Sequence, residues 1–294
     1  MKQALLDYMK TTKSWLDRRL PSALENAEIP DKLKQSMIYS LSAGGKRFRP
    51  ILLFSTLELL GETKEKGLKT AIALEMIHTY SLIHDDLPAM DNDRLRRGKP
   101  TNHVVFGEAT AILAGDGLLT YAFQELCSDQ ELSEAVRCRL TWLLAAAAGP
   151  EGMVGGQESD LEAESETLTI EQLMSVHRRK TGRLIRFPLE AAAVIAGATE
   201  PVIHALTAYA DHLGIAFQIG DDVLDVVGSE GKLGKPIGSD WANHKNTYVS
   251  LLGLDGAKER LADHINRAKR ALREAGLQDG VLNDLADFLR YRAY

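Results

Sequence analysis

Two groups of aspartates are the residues of this chain best suited to chemistry. The first runs His84-Asp85-Asp86-Leu87-Pro88-Ala89-Met90-Asp91-Asn92-Asp93, the second Gln218-Ile219-Gly220-Asp221-Asp222-Val223-Leu224-Asp225. On a helix Asp221 and Asp225, four apart, share a face that Gln218 and Asp222 border. Carboxylates gathered in this way repel each other unless a cation lies among them. Leu82, Ile83, Leu87, Val223 and Leu224 flank them, so they stand at the margin of a core. Oxygen-only donors suit Mg2+, which takes one or two carboxylates and completes its shell with water and substrate phosphate. A solvated helix end accounts for a single Asp-Asp pair; two aspartate triads in apolar helices point to metal.

A metal bound through carboxylates and phosphate needs other cations to hold the phosphate. Gly44-Gly45-Lys46-Arg47-Phe48-Arg49-Pro50 combines exposed backbone amides with Lys and Arg, which suits a diphosphate. Arg94, Arg96, Arg97 and Lys99 follow the first acidic group, and Lys232, Lys235 and Lys245 follow the second. Each alone reads as a surface charge run. The repeated order, acidic group then basic loop, brings opposite charges to one site.

His177, Lys180 and Thr181 fall at i, i+3 and i+4 of a helical pattern, among Arg178, Arg179 and Arg183. They either face a diphosphate or a developing cation, or form an exposed basic face. His78 lies two helical turns before Asp85 on the same face; taken alone it reads as a core histidine. Asp116, and Gln157 with Asp160, are either outer groups orienting metal-bound water or helix caps. Nucleotide motifs fail: Gly234-Lys235 has Ser229 five residues before Gly234 and is followed by Pro236, where a phosphate-binding loop needs Ser or Thr. Neither GxGxxG nor HExxH occurs.

The elements that must position these residues are helices. Ile72, Leu74, Ile77, Leu82 and Ile83 mark the core side of a helix over about 67–84. Similar patterns cover 31–42, 48–60, 107–127, 131–148, 170–198, 200–227 and 256–275. No strand alternation exceeds a few residues. Pro88 ends or kinks the helix carrying Asp85 and Asp86. Other breaks fall at Gly44-Gly45, Arg97-Gly98-Lys99-Pro100, Gly149-Pro150 through Gly156, and Gly228 through Pro236. The fold class is therefore all-α, a large helical bundle.

No linker or low-complexity tract divides the 294 residues, so one domain over 1–294 is expected. A 45% hydrophobic and 26% charged composition is that of a globular protein, and only 6% aromatics favours helices over sheets. The net charge of -6 makes the chain as a whole a poor polyanion binder, which argues against nucleic acid as a partner. Cys127 and Cys138 are too few for a disulfide scaffold and lack metal-ligand spacing. The first residues carry no signal-peptide core, and no run approaches the ~20 apolar residues of a membrane span. The expected location is cytoplasmic.

Together these motifs resemble those of the trans-isoprenyl diphosphate synthases, most closely the bacterial short-chain farnesyl-producing branch, from Ser40 through the 256–275 helix. Asp85-Asp86 to Asp91 is similar to the family's first aspartate-rich motif, with the bacterial two-residue insertion Pro88-Ala89, and Asp221-Asp222 to Asp225 to the second. The resemblance implies an antiparallel bundle around a deep central cavity, usually a homodimer. It implies Mg2+, three ions, with Asp85, Asp86, Asp91, Asp221, Asp222 and Asp225 as the metal motif residues. Asp85 and Asp91 would bind two ions and Asp221 the third, through the allylic diphosphate. Arg96, Lys180 and Lys235 would also hold that diphosphate, with Lys245 nearby. Lys46, Arg49, His78 and Arg97 would hold isopentenyl diphosphate, and Thr181 and Gln218 would line the space where the allylic cation develops.

The implied reaction is Mg2+-dependent head-to-tail condensation of isopentenyl diphosphate with dimethylallyl and geranyl diphosphate. In the bacterial farnesyl enzymes an aromatic five residues before the first motif forms the cavity floor; Tyr80 holds that place here, with Ser81 next. Tyr80 separates this reading from its nearest rival, a geranylgeranyl diphosphate synthase. A terpene cyclase mixes Asn, Ser or Thr with Glu in its second motif and needs no second diphosphate site such as Lys46 and Arg49. A non-catalytic synthase subunit would be expected to have lost some of Asp85, Asp91, Asp221, Lys180 and Arg96. Asn92 and Arg94 depart from the family pattern by lowering local negative charge. The terminal Arg290-Tyr291-Arg292-Ala293-Tyr294 matches no family pattern and is assigned no role.

Overall fold

Apolar spacing along the chain becomes helix almost throughout. The structure, a computed structural model, describes residues 3–163, 166–227, 246–277 and 280–292. Among them run α1 (Gln3–Asp17), α2 (Asp31–Leu41), α3 (Phe48–Leu59), α4 (Leu68–Asp85), α5 (Asn102–Phe106), α6 (Glu108–Cys127) and α7 (Glu134–Ala148). They are followed by α8 (Met153–Glu162), α9 (Ile170–His177), α10 (Arg183–Ile195), α11 (Glu200–Val227), α12 (Tyr248–Glu274) and α13 (Val281–Arg292). No described helix is long and apolar enough to cross a membrane.

Local signals set the ends. Ser133 caps α7 by accepting the Val136 N–H, and Thr169 and Gln172 form a reciprocal capping box on α9, as Thr247 and Ser250 do on α12. α4 stops at Asp85, three residues before Pro88. Arg97 and Gly98 both adopt positive φ, 54° and 74°, and turn the chain between Leu95–Arg96 and Lys99–Pro100, which pair antiparallel. Such a two-residue turn matches the right-handed twist of its flanking strands.

Two apolar cores meet on α10. One gathers residues of α2, α3, α4, α6 and α7, the other residues of α9, α11, α12 and α13. Leu184 and Phe187 of α10 enter the first, Ile185 and Leu189 the second. α10 packs on α3, α7 and α11 and also touches α4, so it meets both helices that bear the acidic groups.

Three segments differ from the sequence-based expectation. The 170–198 helix is continuous but carries a π-helical turn, Arg178–Gly182, between α9 and α10. The Gly-rich stretch after Pro150 is helix from Met153, and Gly156 within it lies where a Cβ would come 2.1 Å from the Lys180 backbone nitrogen. Close helix approach outweighs the ~1 kcal/mol helical cost of glycine there. α12 begins at Tyr248 rather than near 256, with an internal break at Gly253 (φ 70°) that divides its apolar pattern.

Candidate active site

The first acidic group straddles the end of α4. Beyond Asp85 the chain loops over Pro88 and Ala89 and returns, so that the Asp91 N–H donates to the Asp85 carbonyl at 2.8 Å. Asn92, in the left-handed region (φ 53°), donates its N–H to Leu87 O and closes the loop. The two-residue insertion thus brings Asp91 back to Asp85. Burial raises the Asp85 carboxyl to about 6; the Lys180 ammonium opposes that rise and the Asp91 charge adds to it.

Asp86 points elsewhere. It is buried, and its Oδ1 accepts from Arg96 Nε at 2.6 Å, with Nη2 of the same guanidinium in ion-pair contact at 2.6 Å. Burial carries Asp86 to about 6 despite Arg96. The expected metal residue Asp86 and the expected phosphate residue Arg96 are therefore paired with each other. With Arg97 they border a separate cavity of about 30 Å3.

A cavity of about 370 Å3 opens where α3, α4, α8 and the π turn meet. Arg49, His78, His84, Asp85, Glu158 and Lys180 are among its charged and polar groups, and Tyr80 and Ser81 also line it. Met153, Val154 and Leu161 of α8 provide apolar lining. Tyr80 is buried and meets the His84 ring edge-on at 5.8 Å. Burial, aided by the Asp85 charge, pushes its hydroxyl up to about 12, so it stays protonated.

The glycine-rich basic loop divides its arginines between two tasks. Gly44 and Gly45 (φ 87° and 126°) and Arg47 (φ 49°) all lie in the positive-φ region. Arg47 turns inward, 4% exposed, and donates to Glu75 Oε2 at 2.5 Å, Asp17 Oδ1 at 2.8 Å and Leu41 O at 2.7 Å. Arg49 turns to the cavity, and Lys46 is exposed. Arg97 donates to Gly44 O, and a Cβ on Gly45 would come 2.5 Å from the Arg97 guanidinium, so glycine there lets the two basic loops touch. Burial holds His78 well below its ordinary 6.5, reinforced by Arg49, Arg97, Arg47 and Arg96. His78 is consequently neutral beside this cationic group.

The π turn sets Lys180 and Thr181 apart from His177. A wider turn shifts the helical phase: His177 is buried against the Tyr248 ring at 5.5 Å, while Lys180 and Thr181 line the cavity. The expected common face of these three residues is thereby divided. Gly156 of α8 and Gly214 of α11 admit the turn between them; a Cβ on Gly214 would come 3.0 Å from Gly182 Cα. Lys180 Nζ donates to Asp160 Oδ2 at 2.5 Å, and Thr181 Oγ1 to Gln218 Oε1 at 3.0 Å. Asp160 is thus a partner of Lys180 rather than a cap, and Gln157 lines the cavity. Asp116 is exposed, 4.0 Å from His84 Nε2.

In the second acidic group Asp221 is half-buried, and its charge acts on Arg49. Asp225, expected on the metal face, and Asp222, expected at its border, are 2% and 5% exposed. Asp222 Oδ2 accepts the Tyr248 N–H at 2.7 Å, which joins α11 to the start of α12. Their burial follows from a helix packed on several sides, which leaves little of its circumference open. Lys232, Lys235 and Lys245 lie outside the described residues. Glu75 and Arg47 were missed as the anchors of the site; a glutamate within the apolar run Ala71–Ile77 was their one visible signal.

Among the described residues no three His, Cys, Asp or Glu side chains are grouped so as to hold a metal ion by themselves. Asp85 and Asp91 nevertheless fit a hard cation: they are oxygen donors, close together, and Asp85 is raised by burial and by its neighbour's charge. Such a pair suits an ion whose shell is completed by water and phosphate.

Residues 30–278 match the family model described as polyprenyl synthetase. The chain is 53% identical over 287 residues to a farnesyl diphosphate synthase of Geobacillus stearothermophilus, covering 97% of each. It is 50% identical over 294 residues to that of Bacillus subtilis (strain 168), covering 99% of each. A solved structure titled as an FPP/GFPP synthase of Zymomonas mobilis superposes with a TM-score of 0.86 at 37% identity over the whole of both chains.

Proposed function

This chain belongs to the polyprenyl synthetase family, and on that premise we propose that it is a prenyltransferase making farnesyl diphosphate. It condenses isopentenyl diphosphate with dimethylallyl and then geranyl diphosphate. The observation that carries this reading is one cavity in which Asp85, Lys180, Arg49 and His78 meet apolar walls and Tyr80. A diphosphate needs the first set, a growing hydrocarbon the second.

Asp85 and Asp91, with Asp221 from α11, would hold Mg2+, three ions in all, together with the allylic diphosphate; Asp86, Asp222 and Asp225 position the elements that carry them. Bound Mg2+ neutralises the charge that grows on the departing diphosphate. Lys180 and Arg96 bind the same group, with Lys235 and Lys245 completing the set, and Arg96 exchanges its Asp86 partner for phosphate oxygen. Lys46, Arg49, Arg97 and neutral His78 bind isopentenyl diphosphate. Preorganised cations of this kind act strongest where water is excluded. The Thr181–Gln218 pair turns oxygen toward the allylic carbon, and the walls keep water from the cation. The isopentenyl double bond attacks that carbon, and the proton then lost goes to the released diphosphate.

The whole chain acts as one catalytic unit, in the cytoplasm, as a homodimer. Exposed Val104 and Val105 of α5 and Ile112 and Leu113 of α6 support the last point, since they offer an apolar face for a second copy. The test is product analysis with Mg2+, isopentenyl diphosphate and dimethylallyl diphosphate. A fifteen-carbon product abolished by EDTA is expected. A twenty-carbon product would displace the chain length, and no condensation, with diphosphate binding retained, would favour a non-catalytic subunit.

A further inference from the structure

We propose that Asn246 is a positioning residue that pins the α8 wall of the cavity to the second acidic group, and so sets the affinity for the allylic substrate. The inference rests on the function proposed above.

In the connector between α8 and α9, the described residues 163 and 166–169 carry backbone groups that need partners from elsewhere. Asn246 supplies three. Its Oδ1 accepts the Leu168 N–H at 3.0 Å, and its Nδ2 donates to Ala163 O at 3.0 Å and to Glu166 O at 2.9 Å. An amide side chain offers an acceptor and two donors together, which Asp and Ser do not. Two residues on, the Tyr248 N–H donates to Asp222 Oδ2, and the Tyr248 side chain is fully buried. Residues 246–248 are therefore bonded to the end of α8 on one side and to α11 on the other.

What α8 carries gives this staple its consequence. Gln157 and Leu161 line the cavity, and Asp160 holds Lys180. The other end of α8 is located by Gly156 against the Lys180 backbone. Releasing Asn246 frees the C-terminal end of the helix, and with it Asp160, while the isopentenyl-binding residues on α3 and α4 have separate anchors in Arg47 and Glu75.

Steady-state kinetics on Asn246→Ala, Asn246→Asp and Asn246→Gln test this. In Asn246→Ala the KM for geranyl diphosphate should rise three- to tenfold, with kcat and the KM for isopentenyl diphosphate within twofold of the parent. Asn246→Asp, which loses both donors, should behave like Ala; Asn246→Gln, which keeps them, should recover part of the affinity. Equal changes in both KM values, or none, would overturn the proposal. If the parent chain forms no product, the functional reading fails. The staple is then judged by binding of geranyl thiolodiphosphate, whose weakening in Asn246→Ala supports it and whose constancy refutes it.

Discussion

The backbone N–H of Asp91 donates to the carbonyl of Asp85 across the Pro88-Ala89 loop, at 2.8 Å. Six residues apart in sequence, the two aspartates become neighbours, and a hard cation placed between their carboxylates would relieve the charge that helps to raise Asp85. Asp85→Asn and Asp91→Asn should each lower kcat by about 10²–10³, the scale seen when one group stabilising developing charge is removed. Asp91→Asn should also raise the Mg2+ concentration for half-maximal activity; an unchanged Mg2+ titration would remove Asp91 from the metal site.

Tyr80 lines the cavity one helical turn before His84, whose ring it meets. Tyr80→Ala should lengthen the principal product by at least one five-carbon unit, and Tyr80→Phe should leave it unchanged. Chromatography of the dephosphorylated products decides the matter. An identical profile from the Ala variant would rule out the floor role.

Glu75 is 2% exposed and pairs with the similarly buried Arg47. Removing one member of such a pair strands the other's charge, at a cost of about 3–5 kcal/mol. Glu75→Ala should lose about that much in urea denaturation and also raise the KM for isopentenyl diphosphate, because the 44–49 loop depends on Arg47. Stability within about 1 kcal/mol of the parent would contradict this account of the pair.

Gly156→Ala should cut activity at least tenfold while the helical signal persists, since its Cβ would lie 2.1 Å from the Lys180 backbone nitrogen. The π turn and α8 would have to separate, taking Lys180 from Asp160. Full activity in this variant would show that the close approach has no part in catalysis.

His212 and His264 join α11 to α12 through their Nδ1 atoms, 3.0 Å apart. Burial lowers His264 to about 4, and His212 and Arg260 add to the effect. The folded state thus binds fewer protons at His264 than the unfolded state between about 4 and 6.5. This contribution is fully present above pH 6.5 and lost as pH falls toward 4, on the order of 2–3 kcal/mol overall. The difference in thermal stability between the parent and His264→Asn should therefore grow from pH 5 to pH 7. A constant difference would mean that His264 titrates alike in both states.

Much of this was legible along the chain, because it depends on residue type and spacing. Apolar periodicity foretold α4, α6 and α11 to within a residue or two, and carboxylates embedded in apolar helices pointed to where a metal would be sought. The basic loops were legible as well, since charge next to glycine is a local feature. What local patterns could not say is which member of each group meets the cavity. Arg47 and Arg49 are two apart, yet one is spent on Glu75 and the other lines the cavity. Asp221 and Asp222 are adjacent, yet Asp222 serves the Tyr248 N–H. The π turn that parts His177 from Lys180 exists where α8 and α11 close on it through Gly156 and Gly214. Residue chemistry and periodicity are written in the chain itself; the direction each side chain takes was decided only by packing, because a helix buried on several sides leaves few of its residues facing the site.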